Sequence, residues 1–178
     1  YLQAFIEEWI GVKLTDAKRA LVISRLSKRI RELNISNYKG YMDLVKDDPK
    51  ELQELFNRIT TNVTQFFREN HHFEYLHKVF LPELVADPEH SKRKVVRVWS
   101  SACSTGEEPY TIAMCLSEFF KNHSGWKIQI LASDINTEAL AKAKSGTYDK
   151  KEIAGIPYNY LKTYFKMGVE QNVGKFKA

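Results

Sequence analysis

Apolar residues recur at three- and four-residue intervals from Leu2 to about Ile59, without strand-like alternation, so this stretch is expected to be helical throughout. Thr15 and Asp16 are both candidate caps for a helix running to about Leu33. That helix aligns Val22, Leu26, Ile30 and Leu33 on one face, and Asn34 ends it. A second helix begins after Ser36 or Asn37 and carries Tyr41, Leu44 and Val45. A third follows Asp47-Asp48-Pro49, where proline suits a first turn, and carries Leu52, Leu55, Phe56 and Ile59. Thr60 to Thr64 then breaks the pattern with β-branched and capping residues, before Phe66-Phe67-Arg68 opens another helix through about Phe80. Leu81 to Lys94, with Pro82, Pro88 and a cluster of charges, reads as a loop with a helical start.

From Val95 the pattern changes. Val95 to Trp99 is a short strand, Pro109 to about Phe120 a helix with Ile112, Cys115, Leu116 and Phe119 inward, and Ile128 to Ala132 a second strand. Strand, helix, strand at this spacing is a right-handed βαβ unit that builds a parallel sheet. Asn136 to Ser145 is the next helix, stopped by Gly146. Beyond Asp149 clear periodicity is lost, and only a helix near Tyr158 to Met167 is expected. The chain therefore reads as a helical domain over residues 1–59 and an α/β domain over 60–178.

At 178 residues, with 43% apolar and 28% charged positions, the composition is that of a soluble protein. No apolar run approaches the roughly 20 residues of a membrane helix. Glu7 and Glu8 stand where a secretory signal needs an unbroken apolar stretch, which predicts a cytoplasmic protein. Tyr1 in place of methionine predicts that the native start is missing, and two convincing strands are too few for a stable twisted sheet, which predicts a longer whole. Cys103 and Cys115 lack flanking metal-type partners, so reduced thiols are expected, with neither a disulfide framework nor a metal site. The net charge of +5 points toward an acidic partner without specifying one.

The two strands end in Ser100-Ser101-Ala102-Cys103-Ser104-Thr105-Gly106-Glu107-Glu108-Pro109-Tyr110 and in Ala132-Ser133-Asp134-Ile135. Ligands of open α/β sheets bind outside the carboxyl ends of strands, so both segments are expected to border one crevice. A dinucleotide or nucleoside triphosphate needs a glycine-rich turn and a helix N-terminus facing phosphate. This loop has one glycine and two glutamates, which already complement the helix dipole and would repel a pyrophosphate. A sulfonium nucleoside, cationic and phosphate-free, suits an acidic loop. Asp134 is placed to accept hydrogen bonds from ribose hydroxyls, and an upstream arginine, Arg68, is expected to close over the ligand.

Three strings, Asn62-Val63-Thr64-Gln65-Phe66-Phe67-Arg68-Glu69, Trp99 to Tyr110 and Ala132 to Ile135, followed by Gly146-Thr147-Tyr148, resemble the CheR family of chemotaxis-receptor glutamate O-methyltransferases. The resemblance implies a fold of the α/β class: a small all-α N-terminal domain followed by part of a Rossmann-like domain of the S-adenosylmethionine-dependent methyltransferases. It implies S-adenosylmethionine as cofactor, S-adenosylhomocysteine as product, and receptor glutamate carboxylates as acceptors. Carried over motif by motif, Asn62 and Thr64 would touch the cofactor's polar end, Glu107 its amino end and Asp134 its ribose, with Ala102 and Ile135 alongside. Arg68 would face either the cofactor carboxylate or the incoming glutamate, since its fork meets a carboxylate bidentately. No general base is needed, because the attacking carboxylate is already ionised near neutral pH; alignment and exclusion of water carry the rate.

The same resemblance makes the cytoplasmic helical methylation region of a receptor the partner of a monomeric enzyme. Lys18, Arg25, Lys28 and Arg29, on one flank of the first helix, and Arg31 further round are then the candidates for docking it, through steering. Two competing readings stand beside this one: a catalytically inactive module that senses the cofactor or its product, and a nucleic-acid methyltransferase or binder. The latter would require an aromatic-interleaved basic groove, which the sequence lacks. Adjacent His71 and His72 diverge on a helix and do not make a metal pair.

Overall fold

The computed structural model describes residues 15–168 and 174–178, with the side chains of 16–18 outside that description. The chain divides into two compact units, the first ending at Thr61 and the second beginning at Asn62.

In the first unit, α1 (Asp16–Glu32), α2 (Tyr38–Asp47) and α3 (Pro49–Ile59) are each bounded by the chemistry their ends require. Asn34 takes a left-handed φ of 56° just past α1, a conformation asparagine tolerates better than most residues. The Asn37 side chain accepts from the Gly40 amide to cap α2, and Asp48 accepts from the Lys50 amide to cap α3, whose first residue is Pro49. Val22, Leu26 and Ile30 meet Tyr41, Met42, Val45 and Leu55 in a closed apolar core. Met42, absent from the expected face, is buried, while Leu44 is only half-buried.

One charged residue lies inside that core. Glu51 is 5% exposed and accepts from Arg29 Nε and Nη2 at 3.0 and 2.7 Å and from Tyr41 Oη at 2.9 Å. Removing Glu51 leaves the buried Tyr41 hydroxyl without this acceptor and Arg29, 24% exposed, with Glu32 alone. Glu51→Ala is therefore expected to lower the stability of this unit by about 3 kcal/mol, read by urea denaturation; a loss below about 0.5 kcal/mol would show that the set is dispensable.

The second unit opens with a departure. The helix expected from Phe66 starts four residues later, because Phe67 and Glu69 adopt left-handed φ values of 55° and 52°. It runs as α4 (Asn70–Tyr75), widens into a π-helical turn (Leu76–Phe80) and continues as α5 (Leu81–Ala86). Pro82 inside a regular helix would clash with the carbonyl four residues back, and a wider turn immediately before it relieves that conflict. Asp87 then caps a further short helix, α6 (Pro88–Arg93), by accepting from the His90 amide. The expected loop over Leu81 to Lys94 is thus largely helical, since Pro82 and Pro88 both occupy first-turn positions.

Strands β1 (Val95–Ser101) and β2 (Lys127–Ser133) pair in parallel, Ser101 opposite Ser133, and α7 (Glu107–Phe120) connects them. Leu81, Val96, Leu116 and Phe120 form a core between this sheet and the helices on one face. Helix α8 (Thr137–Ser145) is capped by Asn136 and closed by Gly146 at a φ of 58°. A three-stranded antiparallel sheet follows that the sequence did not reveal: β3 (Thr147–Asp149), β4 (Lys166–Met167) and β5 (Lys175–Lys177), in the order β3-β5-β4. Helix α9 (Tyr158–Tyr164) precedes β4, ending three residues short of the expectation. Around Tyr148, fully buried, gather Phe66, Met114, Ile153, Ile156 and Phe165. Both cysteines are free and buried, and burial pushes the Cys115 thiol up to about 11. No described helix is long and apolar enough to cross a membrane.

Candidate functional site

The loop between β1 and α7 alternates in handedness. Ala102, Ser104 and Gly106 all have positive φ, of 60°, 50° and 100°. Such alternation turns successive backbone amides toward one side, a geometry that elsewhere cradles anions. Here the anion comes from the chain itself. Asp134, just past β2, accepts from the Ser104 amide through Oδ2 at 2.7 Å and from the Asn136 amide through Oδ1 at 2.8 Å. The Cys103 amide donates to the Ser133 carbonyl at 2.9 Å, continuing the strand pairing into the loop. One amide of the loop, that of Ser104, is thus already taken by a carboxylate of the chain itself.

Gly106 fits because nothing larger can. A Cβ there would lie 2.8 Å from Tyr148 Oη and 2.9 Å from both Cα and Cβ of Ala143. Tyr148 Oη in turn donates to the Thr105 carbonyl at 2.8 Å, so the buried tyrosine fastens the loop from behind. Burial raises the Tyr148 phenol far above its ordinary value, with the nearby Glu107 charge adding to the effect, so it stays a donor.

Beyond this loop opens a cavity of about 740 Å³, within the range of small-molecule clefts. Its wall includes Asn62, Thr64, Thr105, Glu107, Lys142 and Lys151. Glu107, only 4% exposed, begins α7 and accepts from Thr105 Oγ1 at 2.6 Å. The backbone across the cavity is tied to the same helix: Thr111 Oγ1 accepts from the Phe67 amide at 3.2 Å and donates to the Glu107 carbonyl at 2.6 Å. Lys142 is ion-paired with Glu152, whose other oxygen accepts from the Asp149 amide at 2.7 Å.

The expected single crevice is not what the structure shows. Asn62, Thr64 and Glu107 share the large cavity, whereas Asp134, Arg68, Ala102 and Ile135 are not part of its wall. Asp134 has turned its carboxylate to the Ser104 and Asn136 amides, and exposed Arg68 donates from Nη1 to the Val63 carbonyl at 2.9 Å. Ala102 and Ile135 are exposed. A second cavity of about 510 Å³, with Cys103, Tyr110, Ile130, Ala132 and Leu140 on its wall, is largely apolar and includes none of these four either. The loop from Ala102 to Gly106 is the shared element, latched by Asp134 and delivering Thr105 and Glu107 to the larger cavity. Lys142 and Lys151 were missed by the sequence reading, and Thr105 stood inside a motif string without being singled out; the strings beginning at Asn62 and Trp99 pointed toward that wall.

In the first unit the five docking candidates part company. Arg29 is held by Glu51, which raises its already high pKa through hydrogen bonding, and Arg25 Nη1 donates to the Arg58 and Thr60 carbonyls at the end of α3. Lys28 and Arg31 are exposed, and the Lys18 side chain lies outside the described residues. Among the described residues no cluster of histidine, cysteine and acids is placed to hold a metal ion.

The fold and loop together define an α/β domain of the S-adenosylmethionine-binding type, in which an acidic loop replaces the phosphate-binding turn. The ligand's chemistry fits what the loop leaves open: the buried acid Glu107 lines the cavity and has no ion pair among the described residues. Comparison of the sequence with known families agrees. Residues 62–177 match the CheR methyltransferase, SAM binding domain, and residues 1–60 match the CheR methyltransferase, all-alpha domain. The chain belongs to the CheR methyltransferase family. It is 39% identical over 170 residues to a probable chemotaxis protein methyltransferase of Rhizobium etli, covering 94% of this chain and 63% of that protein. It is likewise 39% identical over 176 residues to the chemotaxis protein methyltransferase of Escherichia coli, covering 97% of this chain and 58% of its relative. The chemotaxis protein methyltransferase of Borreliella burgdorferi is 39% identical over 155 residues, 85% of this chain and 54% of that protein. The chain therefore spans somewhat more than half the length of these relatives.

Proposed function

We propose that the protein transfers a methyl group from S-adenosylmethionine to glutamate side-chain carboxylates of chemotaxis receptors in the cytoplasm, giving methyl esters. The observation that carries this reading is a buried carboxylate, Glu107, with no ion pair among the described residues, on the wall of a cavity large enough for a nucleoside beside a loop whose Ser104 amide is already taken by Asp134. When bound, the cofactor supplies an electrophilic methyl carbon on sulfur, so that carboxylate attack forms the new C–O bond and leaves the electron pair on sulfur. Glu107 holds the cofactor's ammonium, with Asn62, Thr64 and Thr105 offering polar atoms around it. The cofactor extends from that cavity past the loop to Asp134, which is not on the cavity wall; Asp134 keeps the loop in shape with one lone pair of each oxygen and has the remaining ones for ribose hydroxyls. The apolar walls from Phe66 and Phe67 exclude water that would otherwise solvate the attacking carboxylate. Lys28 and Arg31, exposed on α1, steer the acidic receptor helices toward the protein.

Arg68 spends one N–H on Val63 and keeps the rest of its fork for a carboxylate. Arg68→Ala is expected to weaken S-adenosylhomocysteine binding about tenfold, by calorimetric titration; affinity and turnover both unchanged would remove Arg68 from the site. The reaction itself is tested with receptor-bearing membranes and methyl-labelled cofactor. Glutamate methyl esters release volatile methanol in base, which amide and N-methyl products do not. Incorporation that survives base contradicts ester formation, and cofactor binding without any incorporation favours a sensing module over an enzyme.

A further inference from the structure

The large cavity carries two lysines whose circumstances differ. Lys142 is neutralised by Glu152, and its ammonium also lies 5.8 Å from the centre of the Tyr148 ring. Each oxygen of Glu152 already has a partner, the second taking the Asp149 amide. Lys151, next in sequence to that acid, makes no hydrogen bond or ion pair among the described residues, although it lines the same cavity. With Lys142 paired off, the cavity wall keeps one buried negative charge, Glu107, and one exposed positive charge, Lys151.

We infer that Lys151 is the positioning residue for the substrate glutamate, holding its carboxylate at the solvent-facing side of the cavity before transfer. The inference rests on the proposed methyl transfer and says where the acceptor enters. Depth decides between the two carboxylates that could meet this lysine. The cofactor's own carboxylate shares a carbon with the ammonium that Glu107 binds, so it is confined to the neighbourhood of that buried acid. An exposed lysine faces the direction from which a protein side chain arrives.

Charge bookkeeping gives the kinetic signature. The acceptor is anionic when it binds, loses that charge as the bond to carbon forms, and is a neutral ester afterwards. A lysine attracting the anion therefore stabilises the bound substrate more than the transition state and does not retain the product. Removing such an interaction raises KM while leaving kcat unchanged or slightly higher. A merely structural lesion lowers kcat instead.

The test compares wild type with Lys151→Ala, Lys151→Arg and Lys151→Glu in the intact protein. It uses a helical peptide from the receptor methylation region as acceptor and S-adenosylhomocysteine as the cofactor-site probe. Lys151→Ala is expected to raise the peptide KM about tenfold, with kcat not reduced and S-adenosylhomocysteine affinity unchanged. Lys151→Arg is expected to stay within about threefold of wild type, and Lys151→Glu to exceed the alanine variant. Weakened S-adenosylhomocysteine binding with an unchanged peptide KM would overturn the inference by placing Lys151 on the cofactor. So would an unchanged KM in all three variants while the wild type forms base-labile esters. A wild type that forms no such esters overturns the methyl-transfer reading and this inference with it.

Discussion

Asp134→Ala is expected to reduce S-adenosylhomocysteine affinity by at least about a hundredfold. Two effects combine. The variant loses the proposed ribose acceptor, and it frees the Ser104 and Asn136 amides that the carboxylate now holds at 2.7 and 2.8 Å. Charge-assisted hydrogen bonds of this kind contribute about 1.5 to 3 kcal/mol each, and the half-buried setting argues for the lower end because water can replace part of what is lost. A combined loss of about 3 kcal/mol corresponds to somewhat more than two orders of magnitude in affinity. Asp134→Asn, which keeps one carbonyl acceptor, is expected to fall between the alanine variant and wild type. Thermal upshift on adding S-adenosylhomocysteine reports the loss directly: Asp134→Ala should show none at concentrations that saturate wild type. An alanine variant binding within threefold of wild type would mean that Asp134 is only a loop latch with a redundant partner.

The second large effect is on stability. Gly106→Ala is expected to destabilise the second unit by about 3 to 4 kcal/mol. A φ of 100° is open to glycine and strained for any L-residue, costing about 1 to 2 kcal/mol before any contact is counted. The new Cβ then meets Ala143 backbone at 2.9 Å, where no flexible side chain can yield, and the hydroxyl of fully buried Tyr148 at 2.8 Å. Relief requires α8 to move away from the loop, which separates Thr105 from Tyr148 Oη. The melting temperature should fall by about 10 °C and cofactor-site binding should be lost with it. A decrease of less than about 2 °C would show that the loop relaxes freely, and that its geometry is not imposed by the packing of Tyr148 and α8.

How far the sequence foretold these features depended on the range of the signal. Helix faces and the βαβ unit were legible because burial repeats within one element: Val22, Leu26 and Ile30 are buried as their spacing requires, and β1 and β2 pair in parallel as their separation by one helix requires. Some helix ends were legible for the same reason, since Asn37 and Gly146 act on backbone groups within a few residues, while Asn136, read as the first residue of its helix, caps it instead. The antiparallel sheet was not, because strands of two and three residues carry no period and are defined only by partners such as Tyr148 opposite Phe176. The late start of α4 was hidden because Phe67 and Glu69 carry no local signal for the left-handed φ values they adopt. Glu51 went unseen as a core residue because a glutamate in a helix is ordinarily solvent-facing; its burial depends on Arg29 and Tyr41 from two other helices.

In the site, residue types were legible and their grouping was not. The motif strings marked Asn62, Thr64 and Glu107, which do share a cavity, and also Asp134 and Arg68, which do not join them there. The difference lies in hydrogen bonds to backbone amides and carbonyls, which any residue supplies and no composition records. Lys151 was passed over for a related reason. A lysine beside another lysine and an acid reads as solvated surface until the neighbouring Lys142 is seen to have consumed that acid.

The central claim is that an acidic loop, with its Ser104 amide already taken by Asp134, selects a phosphate-free nucleoside that carries an ammonium. Calorimetric titration of the protein with S-adenosylhomocysteine and, in parallel, with ADP puts it to the most direct test. The account predicts saturable one-site binding of S-adenosylhomocysteine and no heat of binding with ADP over the same concentration range. Binding of ADP with equal or greater affinity, or silence with S-adenosylhomocysteine, would contradict it.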